Sequence, residues 1–265
     1  MPASTTLAEG TGLALASAEV AALPAGIMGW TTTRGAGSFG LASDEPVGAV
    51  TARWYGLQDE LAALGVHRLA TASQVHGADI VRHGDGWRGW LRLQGVDGHV
   101  TNVPGTALAV TVADCTPVFI AHPEGAVAAL HAGWRGTAAG ILDAGLDALA
   151  AMGYPAEECH VYLGPSICGR CYEVGPEVVE ALTGARPPGK QLIDVRAVLA
   201  EQAGRRQVRE LAVSPLCTRC DQARLFSHRG GDPGRQLGIV ALLPFRQSSP
   251  DGPGADSAHR ANESS

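Results

Sequence analysis

Three short apolar runs lie at the centre of the chain, in residues 107–112, 118–121 and 126–130. A continuous apolar run of this length, bounded by turn residues, is typical of a strand that is buried on both faces. Shorter apolar stretches predict three more strands, over residues 160–163, 210–213 and 237–243. The pattern therefore predicts a buried sheet core.

Helical periodicity appears between these strands. In residues 137–152, Ile141, Leu142, Leu146 and Leu149 recur near a 3.6-residue period, which predicts one helix. Residues 176–182 predict a second helix with proline in its first turn, and residues 193–203 predict a third. Strands with helices interspersed predict an α+β fold, in which a mixed β-sheet core is flanked by helices.

The 265 residues fit one domain with two weakly patterned ends. Residues 1–27 are rich in Ala, Ser and Thr, and we expect them to be partly ordered. Residues 28–245 are expected to form a single catalytic domain, because no shift in composition marks a linker. Residues 246–265 lack bulky apolar side chains and predict a disordered tail.

Composition excludes several classes of protein. Apolar residues make up 45% of the chain and charged residues 17%, so disorder of the whole chain is excluded. The net charge of −6 gives no basic footprint for nucleic acid. Lys190 is the one lysine among 20 basic residues, and it lies in a Pro/Gly-rich stretch, which argues against a lysine-dependent phosphate loop.

The sequence predicts a cytoplasmic protein. The longest apolar stretch, residues 13–30, is interrupted by Glu19 and Pro24, so no membrane span is expected. The first basic residue is Arg34, which argues against a secretory signal. Six cysteines without such a signal indicate reduced thiols or metal ligands rather than a disulfide scaffold.

Polar residues at the ends of apolar strands are the first candidates for chemistry. Asp114 and Cys115 stand directly between two apolar strands, His131 ends another, and His76 lies in a short polar segment. Two histidines and one cysteine suit Zn²⁺ and leave a fourth position open for catalysis. The alternatives are hydrogen-bonded core histidines and a small buried cysteine.

Two arginines are candidate anion ligands. Residues 133–136 (Gly-Trp-Arg-Gly) open the predicted helix, so free backbone N–H groups beside Arg135 could bind phosphate. Arg34, in a Thr-rich segment, is the second candidate. The alternatives are a tight glycine turn with Arg135 on the surface, and a solvated loop arginine at position 34.

Two Cys-x₂-Cys pairs, Cys168/Cys171 and Cys217/Cys220, could build a four-cysteine zinc site. The 45 residues between the pairs far exceed the usual ~15–20, which argues against a shared site. Residues 122–124 (His-Pro-Glu) match half of a deaminase motif, but the second half is missing, so a turn between strands is predicted instead.

Taken together, the motifs resemble the multicopper polyphenol oxidase (laccase) domain family, also called the YfiH/YlmD or peptidoglycan editing factor family. They occur in the family's order between about residues 28 and 245. The segments that carry the resemblance are residues 32–34, 74–79, 97–98, 101–102, 113–117, 131–136, 164–167, 171–175, 216–218 and 226–229.

This resemblance implies a mixed-sheet YfiH-like fold and a metal held by His76, Cys115 and His131. The metal is zinc, with copper as the alternative. It implies cleavage of adenosine, inosine, guanosine and methylthioadenosine with phosphate, and deamination of adenosine. Cys171 and Cys217 would line or support the pocket, because relatives carry them without a structural zinc. Residues 35–43 are shorter than the family's loop, which puts substrate contacts there in doubt.

The roles of the catalytic candidates remain open. Asp114 is either a general base or a residue that orients a metal ligand. Arg34 and Arg135 are expected to bind phosphate. The protein is expected to be a monomer or a weak homodimer. A thiol hydrolase would instead use Cys115 as nucleophile and His131 as base. Two further functions stay open: a peptidoglycan-precursor editing factor that uses Cys115, and a copper oxidase, although no His-x-His pair occurs in the chain.

Overall fold

The structure, a computed structural model, describes residues 19–42 and 44–244. Five helices occur in this part: α1 (Val47–Ala63), α2 (Trp134–Ala138), α3 (Ile141–Ala150), α4 (Pro176–Thr183) and α5 (Val195–Arg205). The strands are β1 (Glu19–Ala21), β2 (Ile27–Thr31), β3 (Arg68–Ser73), β4 (Ile80–His83), β5 (Gly89–Gln94), β6 (Gly98–Thr101), β7 (Thr106–Val112), β8 (Thr116–His122), β9 (Ala126–Ala132), β10 (His160–Leu163), β11 (Glu173–Val174), β12 (Gln191–Leu192), β13 (Glu210–Val213) and β14 (Gln236–Leu242).

Two mixed six-stranded sheets form the body of the molecule. The first has the order β1-β2-β14-β7-β3-β5, and the second has the order β13-β10-β8-β9-β6-β4. In each sheet, antiparallel pairs at the centre are joined by parallel pairs nearer an edge, such as β3 with β5 and β4 with β6. β11 and β12 form a separate two-stranded ribbon.

The sheets pack face to face, and helices cover their outer faces. Side chains of β7 and β14 meet those of β8 and β9 in one core between the sheets. The other face of the first sheet packs on α1, and the other face of the second sheet packs on α3 and α5. The result is four layers, helix, sheet, sheet and helix, with both faces of the central strands buried.

This layering explains the apolar runs in the sequence. Every residue of β8, β9 and β14 is buried. Successive side chains of a strand point to opposite faces, so alternate residues enter the core between the sheets and the core beneath the helices. In β9, for example, Val127 faces the first sheet and Ala128 faces the helices.

The predicted strands are confirmed, two of them to the residue (β10 and β13). The helix predicted over residues 137–152 is confirmed as α3, which contains its four periodic residues, but its predicted beginning is wrong, because a break separates α3 from the short helix α2. Gly140 makes the break with a left-handed φ of 80°, a conformation that an L residue adopts only at a cost. Residues 122–125 form the predicted turn, closed by the Gly125 N–H and the His122 carbonyl.

The fold class is confirmed as α+β with mixed sheets, in one domain. β1 comes from the segment predicted to be partly ordered, and it pairs with β2. The predicted disordered tail, and most of the N-terminal segment, lie outside the described residues. None of the helices within residues 19–42 and 44–244 is both long and apolar enough to cross a membrane.

Candidate metal centre

The three predicted ligands, His76, Cys115 and His131, come together where the two sheets meet. His76 follows β3 of the first sheet, Cys115 lies between β7 and β8, and His131 lies near the end of β9 in the second sheet. One ligand atom from each residue lies within 4.8 Å of the other two. The imidazole rings meet edge to face, with 4.8 Å between their centroids. We call these three residues the ligand trio.

Glycines let the backbone pass close beside the trio. A Cβ placed on Gly133 would lie 2.9 Å from the Cys115 sulfur and 3.1 Å from Cδ2 of His76. A Cβ on Gly136 would lie 2.7 Å from the Gly77 carbonyl oxygen. Residues 133–136 begin helix α2, as the sequence predicts, and they pack against the loop that carries His76.

Asp97 is a buried carboxylate that holds both histidines of the trio. Its Oδ1 lies 2.8 Å from Nδ1 of His131 and accepts a hydrogen bond from the His76 N–H. Its Oδ2 accepts hydrogen bonds from the N–H groups of Val75 and Gly77. With Nδ1 of His131 directed at Asp97, Nε2 is the ring nitrogen left for the trio.

Hydrogen bonds and charge interactions among Asp97, Cys115 and His131 shift the pKa values of all three groups. Burial alone raises the pKa of Asp97, but hydrogen bonds from His131 and from the Gly77 N–H outweigh it and lower the pKa. Burial also opposes the charged form of Cys115, yet the His131 imidazole lowers the thiol pKa to about 6. In turn, the Cys115 thiolate and Asp97 overcome burial and raise the pKa of His131 to about 9. The contact between the Cys115 sulfur and the His131 ring therefore favours the thiolate form of Cys115 and the protonated form of His131.

Backbone strain is concentrated next to the trio. His76 and Asp114 have left-handed φ values of 63° and 86°. Such conformations cost about 1–3 kcal/mol and persist where the surroundings fix them. Around Asp114 these surroundings are hydrogen bonds: Oδ1 accepts from the Thr218 hydroxyl at 2.6 Å, and Oδ2 accepts from the Arg229 N–H at 2.6 Å.

The guanidinium of Arg34 is directed into the loop over residues 222–232. It donates to the carbonyls of Gln222 and Leu225, pairs with Asp232 at 2.9 Å and lies over the Phe226 ring. These contacts hold the loop whose Arg229 N–H reaches Asp114. They leave the phosphate role of Arg34 as a prediction, and they give this arginine a clear role in fixing the loop.

Arg135 is exposed beside the trio, and its guanidinium stacks on the neighbouring Trp134 ring, 4.3 Å from the centroid. Arg135 is close enough to Tyr172 for its charge to act on the phenol, together with the charges of Cys115, Asp114 and Arg229. Burial and the Cys115 charge raise the pKa of Tyr172. The guanidinium of Arg229 lies over the Tyr172 ring, 5.1 Å from its centroid, so these two side chains form one cluster.

Sequence reasoning missed Asp97, Tyr172 and Arg229 as candidate site residues. Each lies in a motif that carried the resemblance, but none has a pattern of its own that indicates chemistry. The signal available for Asp97 was an acidic residue immediately before a strand whose residues, Gly98–Thr101, prove to be fully buried.

Four of the five cysteines outside the trio also converge. The sulfurs of Cys168, Cys171, Cys217 and Cys220 all lie within 4.8 Å of one another. The long gap in sequence had argued against a shared site, but tertiary folding closes it. We call this group the four-cysteine cluster.

The ligand trio fits a metal ion. Imidazole nitrogen and thiolate sulfur are ligands that Zn²⁺ prefers, and three protein ligands leave one position open. A metal ion at the trio would bind the Cys115 sulfur as a thiolate and would take the place of the proton on His131. The hydrogen bond between Asp97 and His131 is the arrangement that commonly orients a metal-binding histidine.

Comparisons with known proteins agree with this architecture. The chain is 41% identical over 217 residues to a purine nucleoside phosphorylase of Streptomyces coelicolor, covering 77% of this chain and 86% of that protein. It is 37% identical over 167 residues to an adenosine deaminase from an unknown prokaryotic organism, covering 58% and 62%.

The crystal structure of YlmD from Geobacillus stearothermophilus has the same fold. It superposes with a TM-score of 0.76 at 30% identity, covering 83% of this chain and 93% of that chain. The family model described as multi-copper polyphenol oxidoreductase laccase matches residues 37–243. These residues include the whole ligand trio, and the chain belongs to this laccase-domain family.

Proposed function

We propose that the protein is a zinc-dependent purine nucleoside enzyme that uses the ligand trio as its metal site. Its substrates are adenosine, inosine, guanosine and methylthioadenosine, which it cleaves with phosphate, and it deaminates adenosine. The observation that carries the proposal is the trio itself, with ligand atoms within 4.8 Å, in a chain whose relatives include a purine nucleoside phosphorylase and an adenosine deaminase.

Each reaction replaces one bond at the purine nucleoside. In phosphorolysis the bond between C1′ and the purine nitrogen breaks, and its electron pair leaves with the base, which takes a proton. A phosphate oxygen then bonds to C1′, giving ribose 1-phosphate. In deamination, the oxygen of water bonds to C6 of adenine and ammonia leaves, giving inosine.

His76, Cys115 and His131 would hold the ion, which when bound supplies a Lewis acid. Asp97 fixes His131 by its hydrogen bond to Nδ1 and fixes the His76 loop through three backbone N–H groups. This arrangement holds the trio before substrate arrives, so little reorganisation accompanies the reaction.

Arg135 and Arg229 are our candidates for binding phosphate, because both are exposed cations beside the trio. The Tyr172 ring, over which Arg229 lies at 5.1 Å, offers an aromatic face for a purine base. Arg34 would act at a distance by holding the loop that carries Arg229.

Asp114 is proposed to position the strand end rather than to accept a proton from substrate. Both of its oxygens already accept hydrogen bonds, from Thr218 and Arg229. We expect Asp114→Asn to lower kcat/KM by about 10–100-fold while zinc stays bound, since an amide cannot accept both bonds. The pH profile of the variant tests this: a general base would lose the acidic limb, whereas a positioning residue leaves its shape unchanged.

Product analysis by chromatography tests the proposed function. Purified protein is incubated with adenosine, with and without phosphate, beside a Cys115→Ala control. We expect adenine that requires phosphate, inosine in either condition, and loss of both products in the variant. A zinc-loaded protein that yields neither product from any of the four nucleosides would overturn the proposal.

The proximity of the Cys115 sulfur to the His131 ring, with the lowered pKa of the thiol, supports a second candidate, a thiol hydrolase with Cys115 as nucleophile and His131 as the base that takes its proton. The two candidates differ in how Cys115 reacts with iodoacetamide. A metal-bound thiolate is protected until a chelator removes the ion, whereas a free nucleophile is alkylated at once. Peptide mapping of Cys115 before and after chelation distinguishes them, and immediate alkylation in zinc-loaded protein would favour the hydrolase.

A further inference from the structure

The four-cysteine cluster joins two loops that are far apart in sequence. Cys168 and Cys171 lie in the loop after β10, and Cys217 and Cys220 lie in the loop after β13. The two loops run side by side, because Ser166 and Cys217 form a parallel bridge and the Thr218 N–H donates to the Ser166 carbonyl.

The spacing of the sulfurs suits a tetrahedral ion. Zinc bound by four thiolates at about 2.3 Å places its sulfurs about 3.8 Å apart. In the cluster the Cys171 and Cys220 sulfurs lie 3.4 Å apart, and all four sulfurs are within 4.8 Å of one another. All four cysteines are free thiols.

Backbone N–H groups already face the innermost sulfur. The Cys217 sulfur accepts hydrogen bonds from the N–H groups of Cys168 at 3.3 Å and Cys220 at 3.4 Å. The two N–H groups suit the negative charge that a metal-bound sulfur carries, although burial, the larger effect, raises the pKa of the free Cys217 thiol. Each pair also has the two-residue spacing typical of structural zinc sites.

We propose that Cys168, Cys171, Cys217 and Cys220 bind a second, structural zinc ion, separate from the ligand trio. Four protein ligands close the coordination sphere, so this ion takes no substrate. Its role is to clamp the two loops together.

The clamp bears on the ligand trio through Asp114. Thr218, next to Cys217, donates its hydroxyl to Asp114, and the Ile167 N–H, next to Cys168, donates to the Asp114 carbonyl at 3.1 Å. Both loops therefore contact the strained residue that precedes Cys115. Loss of the clamp is expected to lower kcat/KM while zinc remains at the trio.

Zinc counting on intact protein tests the proposal. The protein is expressed with zinc, purified under reducing conditions and analysed by mass spectrometry for metal per chain. We expect two zinc ions in the wild type, one in Cys220→Ser and one in Cys115→Ala. Cys220 is exposed, so its replacement removes one ligand without opening the core. Cys220→His keeps a zinc-binding ligand and is expected to restore the second ion and the thermal stability.

The two sites give separate outcomes. One zinc that persists in Cys115→Ala and disappears in Cys220→Ser supports the cluster while it contradicts a metal at the trio. A zinc content that Cys220→Ser leaves unchanged overturns the cluster proposal. The proposal also fails if thiol titration under denaturing conditions shows that Cys171 and Cys220 form a disulfide in the purified protein and no zinc accompanies them.

Discussion

Asp97 connects more of the site than any ligand does, because one buried carboxylate contacts the side chain of His131 and the backbone around His76. Its four hydrogen bonds arrive from two separate segments of the chain. A neutral amide in its place would present a donor to N–H groups that need an acceptor. A buried polar group left unpaired in this way typically costs about 1–3 kcal/mol.

The first prediction concerns Asp97→Asn. We expect zinc affinity at the trio to fall by about 10–100-fold, because His131 loses the partner that orients it. Competition with a chromogenic chelator measures this affinity. Asp79→Asn, which changes an exposed carboxylate near the same loop, is the matched control and should bind zinc as the wild type does. Equal affinity in both variants would contradict the role given to Asp97.

The second prediction concerns the space beside the trio. Gly133→Ala adds a methyl group 2.9 Å from the Cys115 sulfur, although its φ of −79° suits alanine. Zinc binding at the trio should therefore be lost or strongly weakened for steric reasons alone. Gly204→Ala is the control, since a Cβ there meets nothing within 4 Å and lies in helix α5. The zinc content of both variants tests this prediction. A Gly133→Ala variant that binds zinc as fully as the wild type would contradict the close contact between residue 133 and the Cys115 sulfur.

At the scale of elements, strands that contain a continuous apolar run could be predicted, and elements without such a run could not. The apolar runs of β7, β8 and β9 follow from burial between the two cores. Strand β5 has no buried residue, and helix α1 buries one stripe only, beginning after Pro46 without a side-chain cap. Neither leaves a strong pattern, so both are absent from the prediction.

The ligand trio could be predicted in part for a related reason. Cys115 and His131 interrupt or end apolar strands, where a polar side chain needs an explanation. The contacts of Asp97 and the meeting of the four cysteines depend on how distant loops fold together. Spacing in the sequence carries no signal for such contacts. The 45 residues between the two cysteine pairs therefore argued wrongly against a shared site.

The third prediction concerns two buried histidines on the paired strands β4 and β6, which make the stability of the fold depend on pH. Nε2 of His83 lies 2.9 Å from Nδ1 of His99, and both side chains are buried. Burial and the nearby His83 lower the pKa of His99 to about 3, and burial lowers the pKa of His83. Below pH 6.5 His99 is protonated in the unfolded chain but stays neutral in the folded protein, so the free energy of unfolding falls as the pH drops towards 3.

For His99 alone, the free energy of unfolding should fall by about 2 kcal/mol between pH 7 and pH 5. Urea unfolding at both pH values measures the drop. We expect a smaller drop in His99→Gln, and a drop equal to that of the wild type in His67→Gln, which replaces an exposed histidine. A His99→Gln variant with the full pH dependence would show that the buried pair is not its source.

At the scale of the whole molecule, the trio depends on the packing of the two sheets. The first sheet supplies β3, which leads to His76, and the second supplies β9, which carries His131. Cys115 lies in the short connection that passes from β7 in one sheet to β8 in the other. Neither sheet alone contains the site, so a metal bound by the trio would report on the whole fold.

The most direct test of a zinc-dependent nucleoside enzyme measures metal and rate on the same preparation. Zinc is removed from the purified protein with a chelator and returned stepwise, while inosine cleavage with phosphate is followed at each step. We expect activity to disappear with the zinc held by the trio and to return with it, and we expect His76→Ala to regain neither. Full phosphorolysis by protein whose trio holds no metal would show that the reaction does not depend on zinc.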